Sequence, residues 1–169
     1  ERLQRHFEGS GDELVDQAPQ LGTGHALQQA LPVLERGEGE VVVLYGDAPL
    51  LQAGALRELV AGHRGAGAQV SLLTATVPDP QRLARIVRKP TSDGLQIREW
   101  ADASPIELAS TEVNPGVYCF DRTWLLAELP HLTLMPKGEY YLTELVGRAE
   151  RVRPVHSETI SSYVDIGVD

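Results

Sequence analysis

The sequence predicts an α/β fold, an open sheet that carries an antiparallel insertion. Two continuous runs rich in β-branched and apolar residues, Glu40–Tyr45 and Gln69–Val77, read as strands buried on both faces of a parallel sheet. Between them Ala53–His63 repeats its apolar residues with helical spacing and closes at Gly65 and Gly67. Further along, Arg85–Arg88 and Leu95–Glu99 alternate apolar and polar residues around Thr91-Ser92-Asp93-Gly94, the signature of a hairpin. Strands and helices that alternate in this way imply right-handed crossovers.

The remaining elements follow in order. A helical stretch near Glu1 to Phe7 leads through the turn Gly9-Ser10-Gly11 to a short strand candidate, Glu13-Leu14-Val15-Asp16. A helix starts at Thr23 and is interrupted by Pro32, which lacks the N–H that a helix interior needs. Glu112–Phe120 reads as a strand, Asp121–Leu129 as a helix capped by Asp121, and Glu139–Arg148 as another helix. Arg151–His156 and Tyr163–Ile166 are candidate closing strands. No internal repeat is present.

Composition narrows the function classes. The 169 residues, 42% of them hydrophobic, suit one domain with a real core. A net charge of -9 argues against non-specific nucleic-acid binding, which needs clustered Lys and Arg. A small anionic ligand would need placed N–H groups, a few cations or a divalent metal. Cys119, the sole cysteine, lies in an apolar run and is expected to pack as a small hydrophobe, which fits a reducing cytoplasm. No apolar run approaches transmembrane length and no leader is evident, so a soluble protein away from membranes is expected. The chain starts at Glu1 and stops in mid-pattern at Asp169, so the sequence reads as the interior of a longer chain.

Four stretches carry candidate chemistry. Gln20-Leu21-Gly22-Thr23-Gly24-His25-Ala26 places a small-residue turn before a helix, either a cradle for a base or phosphate or an ordinary loop with Thr23 as N-cap. Gln17, five residues before Gly22, is either an exposed polar residue or a carboxamide whose donor and acceptor match the imide edge of uracil. Asp47 leaves a strand in Tyr45-Gly46-Asp47-Ala48-Pro49-Leu50, where a carboxylate can hold Mg²⁺ or simply serve a turn. Glu99 and Asn114 can hydrogen-bond sugar hydroxyls and an N-acetyl group, or be a solvated hairpin position and a local turn before Pro115-Gly116. Lys137-Gly138-Glu139-Tyr140-Tyr141-Leu142-Thr143-Glu144 would dock a helix on the sheet. The five histidines show no ligand spacing, and Arg82, Arg85, Arg88 and Lys89 read as a solvated hairpin face.

In order, Gln17-x-x-Gln20-Leu-Gly-Thr-Gly-His-Ala, Tyr-Gly-Asp-x-Pro-Leu, Glu99 with Asn114, and Gly-Glu-Tyr-Tyr-Leu-Thr-Glu resemble the bifunctional N-acetylglucosamine-1-phosphate uridyltransferase / glucosamine-1-phosphate acetyltransferase family in its uridyltransferase domain. The resemblance spans residues 13–169 and implies a Rossmann-like open sheet of the sugar nucleotidyltransferase type, truncated at its N-terminus. It implies a single partial domain over 1–169, with a nucleotide-side half over about 1–77, a sugar-binding half over about 78–169 and no acetyltransferase β-helix. The reaction implied joins UTP and N-acetylglucosamine 1-phosphate, releasing pyrophosphate, with no covalent nucleophile from the protein. The readings beside it are a transferase for another sugar 1-phosphate and a non-catalytic sugar-nucleotide-binding module.

By the same resemblance, Gln17, Gly22, Thr23, Tyr45 and Gly46 face the nucleotide and Ala84, Glu99 and Asn114 the sugar, while Asp47 and Asp165 hold Mg²⁺. A homotrimer is implied for the full-length family through its C-terminal domain. The family's opening Gly-x-Gly-Thr-Arg-Met loop and Pro-Lys pair have no counterpart here, so an incomplete sheet with an unpaired edge and an inactive isolated chain are expected. Ala84 stands where the family has Gly, and its Cβ restricts positive φ; Pro115 stands for Thr and removes a backbone donor; Asp165 stands for Asn.

Overall fold

The computed structural model describes residues 5–46, 51–89 and 94–160. Its elements are α1 (Thr23–Gln29), α2 (Leu31–Arg36), β1 (Val41–Leu44), α3 (Ala53–Ala66), β2 (Val70–Thr76), β3 (Arg85–Arg88), β4 (Leu95–Arg98), α4 (Pro105–Leu108), β5 (Glu112–Val113), β6 (Val117–Phe120), α5 (Arg122–Glu128), a 3-10 turn (Leu129–His131), α6 (Thr143–Glu150) and β7 (His156–Ile160). The strands form one sheet in the order β1-β6-β2-β5-β3-β4, with β7 paired to β2.

β6 is antiparallel to both of its neighbours, with Val117 opposite Leu44 and Phe120 opposite Val70. β1 and β2 therefore run parallel to each other, as a crossover through α3 requires. β7 lies parallel to β2, Ser71 opposite His156. The predicted hairpin is β3 and β4, with Ile86 opposite Ile97, and β3 meets β5 at Arg85 and Val113. This is the expected antiparallel insertion.

Alternation along the strands divides the core between the two faces. Val70, Leu72, Tyr118 and Phe120 pack with Leu125, Leu129, Leu145 and Val146 from α5, the 3-10 turn and α6. Leu73, Val117 and Cys119 face the other way and meet Leu59 of α3. Cys119 thus packs as the small hydrophobe expected of it, and burial pushes its thiol up to about 11.

The structure corrects several expectations, each for a local reason. Glu40–Tyr45 is not a strand buried on both faces of a parallel sheet. Among the described residues β1 ends the strand order beside antiparallel β6, and Val42 and Leu44 are 39% and 47% exposed, so apolar surface lies open at this edge. Glu13–Asp16 forms no strand; Leu14 and Val15 are exposed, and Glu13 pairs with Arg36 instead. Glu112–Phe120 is divided into β5 and β6 at Pro115-Gly116, where Gly116 takes φ 76°. Arg151–His156 is displaced to His156–Ile160, beyond Pro154, which has no N–H to give a ladder. The short α4 was missed, although Ser104 and Glu107 form a complete capping box. Asp121 caps α5 as predicted, accepting from Trp124 N–H at 2.7 Å. Tyr163–Ile166 lies outside the described residues.

Arg85 is not part of a solvated face. Its side chain turns inward at the start of β3 and donates to the carbonyls of Pro80, Gln81, Leu83 and Leu108, fixing the loop before the strand. Arg82 stacks over Trp100 at 5.2 Å, Arg88 pairs with Glu112 and Lys89 with Glu150.

His63, 3% exposed at the end of α3, shares a 2.8 Å hydrogen bond between its Nδ1 and Ser71 Oγ. Burial holds its pKa below the ordinary 6.5. In the unfolded chain the ring gains a proton as pH falls through 6.5, while the folded protein resists it, so stability drops on the acid side of that value. His63→Gln, which keeps a polar partner for Ser71 without titrating, is expected to flatten the loss of denaturation midpoint between about pH 7 and pH 5. Urea melts of both proteins across that range check it.

Candidate functional site

The Gln20–Ala26 turn is fixed by close backbone contact with Tyr140. Tyr140 N–H donates to Leu21 O and Gly24 N–H donates to Tyr140 O, both at 2.8 Å. A Cβ on Gly22 would lie 2.8 Å from Tyr140 O, and one on Gly24 would lie 2.6 Å from Leu132 Cδ1. Gly22 also holds φ 94°, so both the approach and the backbone angle need glycine. The N-cap of α1 is Gly22 rather than Thr23, and Thr23 Oγ1 instead accepts from Leu142 N–H at 3.2 Å.

Gln17 reaches back over this turn. Its Nε2 donates to Gly22 O at 2.9 Å and meets His25 Nδ1 at 3.1 Å, while His25 Nε2 meets Gln29 Nε2 at 3.1 Å. The carboxamide is half-buried and its amino group is engaged within the loop, so Oε1 is the atom it offers to an incoming N–H. His25 stacks on Tyr140 with centroids 6.1 Å apart.

Past Tyr140 the chain turns, with Leu142 already in helical backbone angles and Glu144 N–H donating to Tyr141 O at 3.2 Å, and α6 begins at Thr143, four residues after the start expected at Glu139. The backbone of Tyr140 is already hydrogen-bonded to Leu21 and Gly24, and Leu134 bridges Tyr140 on the chain's own side. At the first turn of α6, Thr143 Oγ1 donates to Glu99 Oε1 at 2.8 Å. Residues 140–143 therefore touch both the Gly-Thr-Gly turn and Glu99.

Glu99 follows β4 and is half-buried. Burial raises its pKa, the Thr143 hydrogen bond opposes that shift, and Asp102 and Glu139 add like charge. Asn114, 7% exposed, lies between β5 and β6. Its Oδ1 accepts from Gly116 N–H at 3.1 Å and its Nδ2 donates to Tyr118 Oη at 2.6 Å, so the local-turn reading is realised in the structure. Glycine at 116 is required, because a Cβ there would enter the ring of Tyr45. Tyr45 and Gly46 directly follow β1, so the end of that strand is packed onto the Asn114 turn.

Ala84 is in no strain. Positive φ among the described non-glycine residues occurs at Gln81, and Ala84 O accepts from Asn114 N–H at 2.9 Å. The restriction on positive φ expected of its Cβ does not arise. Asp47 and Asp165 lie outside the described residues. Among the described residues no group of three or more His, Cys, Asp or Glu side chains stands ready to hold a metal.

Sequence reasoning missed Tyr118, Thr143, Tyr140 and His25. A tyrosine inside the otherwise apolar run Val117–Phe120 signals a buried hydroxyl in need of a partner, and the spacing of His25 and Gln29 marks a polar helix face.

Comparison with known proteins places the chain in context. It is 43% identical over 153 residues to the bifunctional protein GlmU of Synechococcus sp. strain CC9902, covering 89% of this chain and 34% of that protein. To the bifunctional protein GlmU of Pelotomaculum thermopropionicum it is 44% identical over 147 residues, covering 86% of this chain and 32% of the relative. The chain thus spans about a third of the length of these curated relatives. A crystal structure from Bacillus anthracis, described as a glucose-1-phosphate thymidylyltransferase in complex with a sucrose, superposes with TM-score 0.72 at 20% identity, covering 94% of this chain and 63% of that one. That likeness shows the fold. No protein-family model matches the chain.

Two measurements test the geometry. Gly24→Ala is expected to destabilise the fold by about 1–3 kcal/mol through overpacking against Leu132 and Tyr140, read as a lower urea midpoint. For Glu99 the folded-state pKa is raised, so as pH climbs through the ordinary 4.5 the unfolded chain ionises first and stability falls. Glu99→Gln keeps an acceptor for Thr143 and is expected to melt above the wild type at pH 7 but not at pH 4.

Proposed function

We propose, from its similarity to the GlmU proteins over about a third of their length, that this chain is the nucleotidyl-transferring part of an enzyme that joins UTP to N-acetylglucosamine 1-phosphate. A phosphate oxygen of the sugar phosphate attacks the α-phosphorus of UTP in line, the bond to the bridging oxygen breaks, and pyrophosphate leaves with the electron pair. UDP-N-acetylglucosamine is the other product. Positioning and charge neutralisation carry such a transfer, and no side chain need form a covalent bond.

The observation that carries this reading is the junction at residues 140–143. Its four residues contact both the Gly-Thr-Gly turn and Glu99, so one short segment links the two groups proposed to meet the two substrates. On the nucleotide side, Gln17 Oε1 accepts the imide N–H of uracil, while Gly22, Thr23, Tyr45 and Gly46 wall the base and ribose. On the sugar side, Glu99 accepts from a ring hydroxyl, Asn114 offers its remaining amide hydrogen, and the Ala84 N–H faces the sugar. A buried, partnered polar group rejects a ligand that lacks its complement, which makes these contacts a source of specificity.

Mg²⁺ fits this reading through Asp47 and Asp165, oxygen donors of the kind the ion prefers, with Asp47 following the Tyr45-Gly46 corner. When bound, it would neutralise phosphate charge. The buried free thiol of Cys119 suits a reducing cytoplasm, where we place the reaction.

Pyrophosphate release from UTP and N-acetylglucosamine 1-phosphate, measured with the full-length protein that carries this sequence, tests the proposal. Release is expected to need Mg²⁺ and to fall when CTP replaces UTP. Gln17→Ala is expected to raise KM for UTP and Glu99→Ala KM for the sugar phosphate, each by about tenfold, the loss of roughly 1.4 kcal/mol of binding. Faster turnover with a different sugar 1-phosphate, or none with either, overturns it.

A further inference from the structure

Tyr118 is fully buried, and its hydroxyl is the partner of the Asn114 amide nitrogen. A backbone N–H can only donate, so the Gly116 contact fixes Oδ1 of Asn114 as the acceptor and turns Nδ2 toward Tyr118. The Tyr118 oxygen therefore accepts, and its own proton must go elsewhere. Tyr45 is hydrogen-bonded to the same hydroxyl, and the two rings meet edge on with centroids 6.3 Å apart. Donor and acceptor roles along the row are thus set from Gly116 through Asn114 to the Tyr118 oxygen.

We propose that Tyr118 is a positioning residue that locks the carboxamide of Asn114 so that it presents an N–H, and not its oxygen, to the sugar phosphate. The role rests on the proposed function of the site and deepens it. With one Nδ2 hydrogen held by Tyr118, the other is the donor left for substrate, so the sugar atom that meets Asn114 is an acceptor oxygen. Burial makes the lock effective, because a carboxamide free to rotate by half a turn would show either face to the ligand. The row also ties the sugar side to the end of β1, since the Tyr45 ring rests on Gly116.

Steady-state kinetics of the full-length protein test this with Tyr118→Phe, Asn114→Asp and Asn114→Ala. Tyr118→Phe is expected to raise KM for the sugar phosphate about three- to tenfold, the scale of one net hydrogen bond, with KM for UTP unchanged. On an Asn114→Ala background the same change is expected to add nothing, because there is no carboxamide left to hold. Asn114→Asp can still accept from Gly116 and from Tyr118 but has no N–H to give, so it is expected to raise KM for the sugar phosphate at least as much as Tyr118→Phe does. Should Tyr118→Phe fail to fold, Asn114→Asp decides. An unchanged sugar KM in either variant, an equal rise for both substrates, or additivity with Asn114→Ala overturns the role. If the wild type transfers no uridylyl group, the reading of the site falls and this role with it; an active wild type with an unaffected Tyr118→Phe removes the role alone.

Discussion

The close backbone contact between the Gly-Thr-Gly turn and Tyr140 is the constraint on which the site depends. Two 2.8 Å hydrogen bonds join segments more than a hundred residues apart in sequence, and side chains at Gly22 or Gly24 would push them apart. From that contact the chain runs through Leu142, tied to Thr23, to Thr143, tied to Glu99. The Gly-Thr-Gly turn and the Glu99 carboxylate are thereby joined through four consecutive residues, 140–143. Loosening the first contact would displace everything downstream of it.

A second corner forms where β1 leaves the sheet. Because β6 is inserted between β1 and β2, the turn that starts β6 arrives beside the end of β1. Asn114, Pro115 and Gly116 make that turn, and the ring of Tyr45 covers it. Proline at 115 suits the geometry, since the turn is closed by the Asn114 side chain and the N–H of Gly116, and no donor is asked of residue 115. Sheet order, a local side-chain turn and one aromatic ring together bring a strand end and a polar amide to the same place.

Elements set by local pattern were legible in the sequence: the helix closing near Gly67, the β3–β4 hairpin, the Asp121 cap and the burial of β2 from Val70 to Ala75. Those set by distant partners were not. β1 reads as an inner parallel strand because Val41–Leu44 is uniformly apolar, but its neighbour is an antiparallel strand some seventy residues later and one face stays open. Arg85 reads as a surface cation within a basic run, yet four carbonyls converge on it from loops that only the fold assembles. Gln17, Glu99 and Asn114 were singled out by residue type and order, whereas Tyr118 and Thr143, which hydrogen-bond two of them, resemble ordinary core and helix-start residues until their hydroxyls find partners.

The placement of charge bears on how an acidic chain would handle the anionic substrates proposed for it. Arg85 is held by carbonyls, Arg88 by Glu112, Lys89 by Glu150, Arg98 by Glu107, Lys137 by Asp102, and Arg148 by Glu128 and Glu144. Each of these cations serves the fold, and moving one to a phosphate would leave its carboxylate or carbonyls without their donor. Gln17, Glu99 and Asn114 present two amides and one carboxyl whose burial resists ionisation, with hydroxyl partners on Tyr118 and Thr143. Under the proposed function such groups would read the base and the sugar by hydrogen-bond pattern and add little field of their own. Neutralising phosphate charge would then be a separate task, one that suits a divalent ion. Recognition and neutralisation would thus be divided between different groups, and a substitution in one set need not disturb the other.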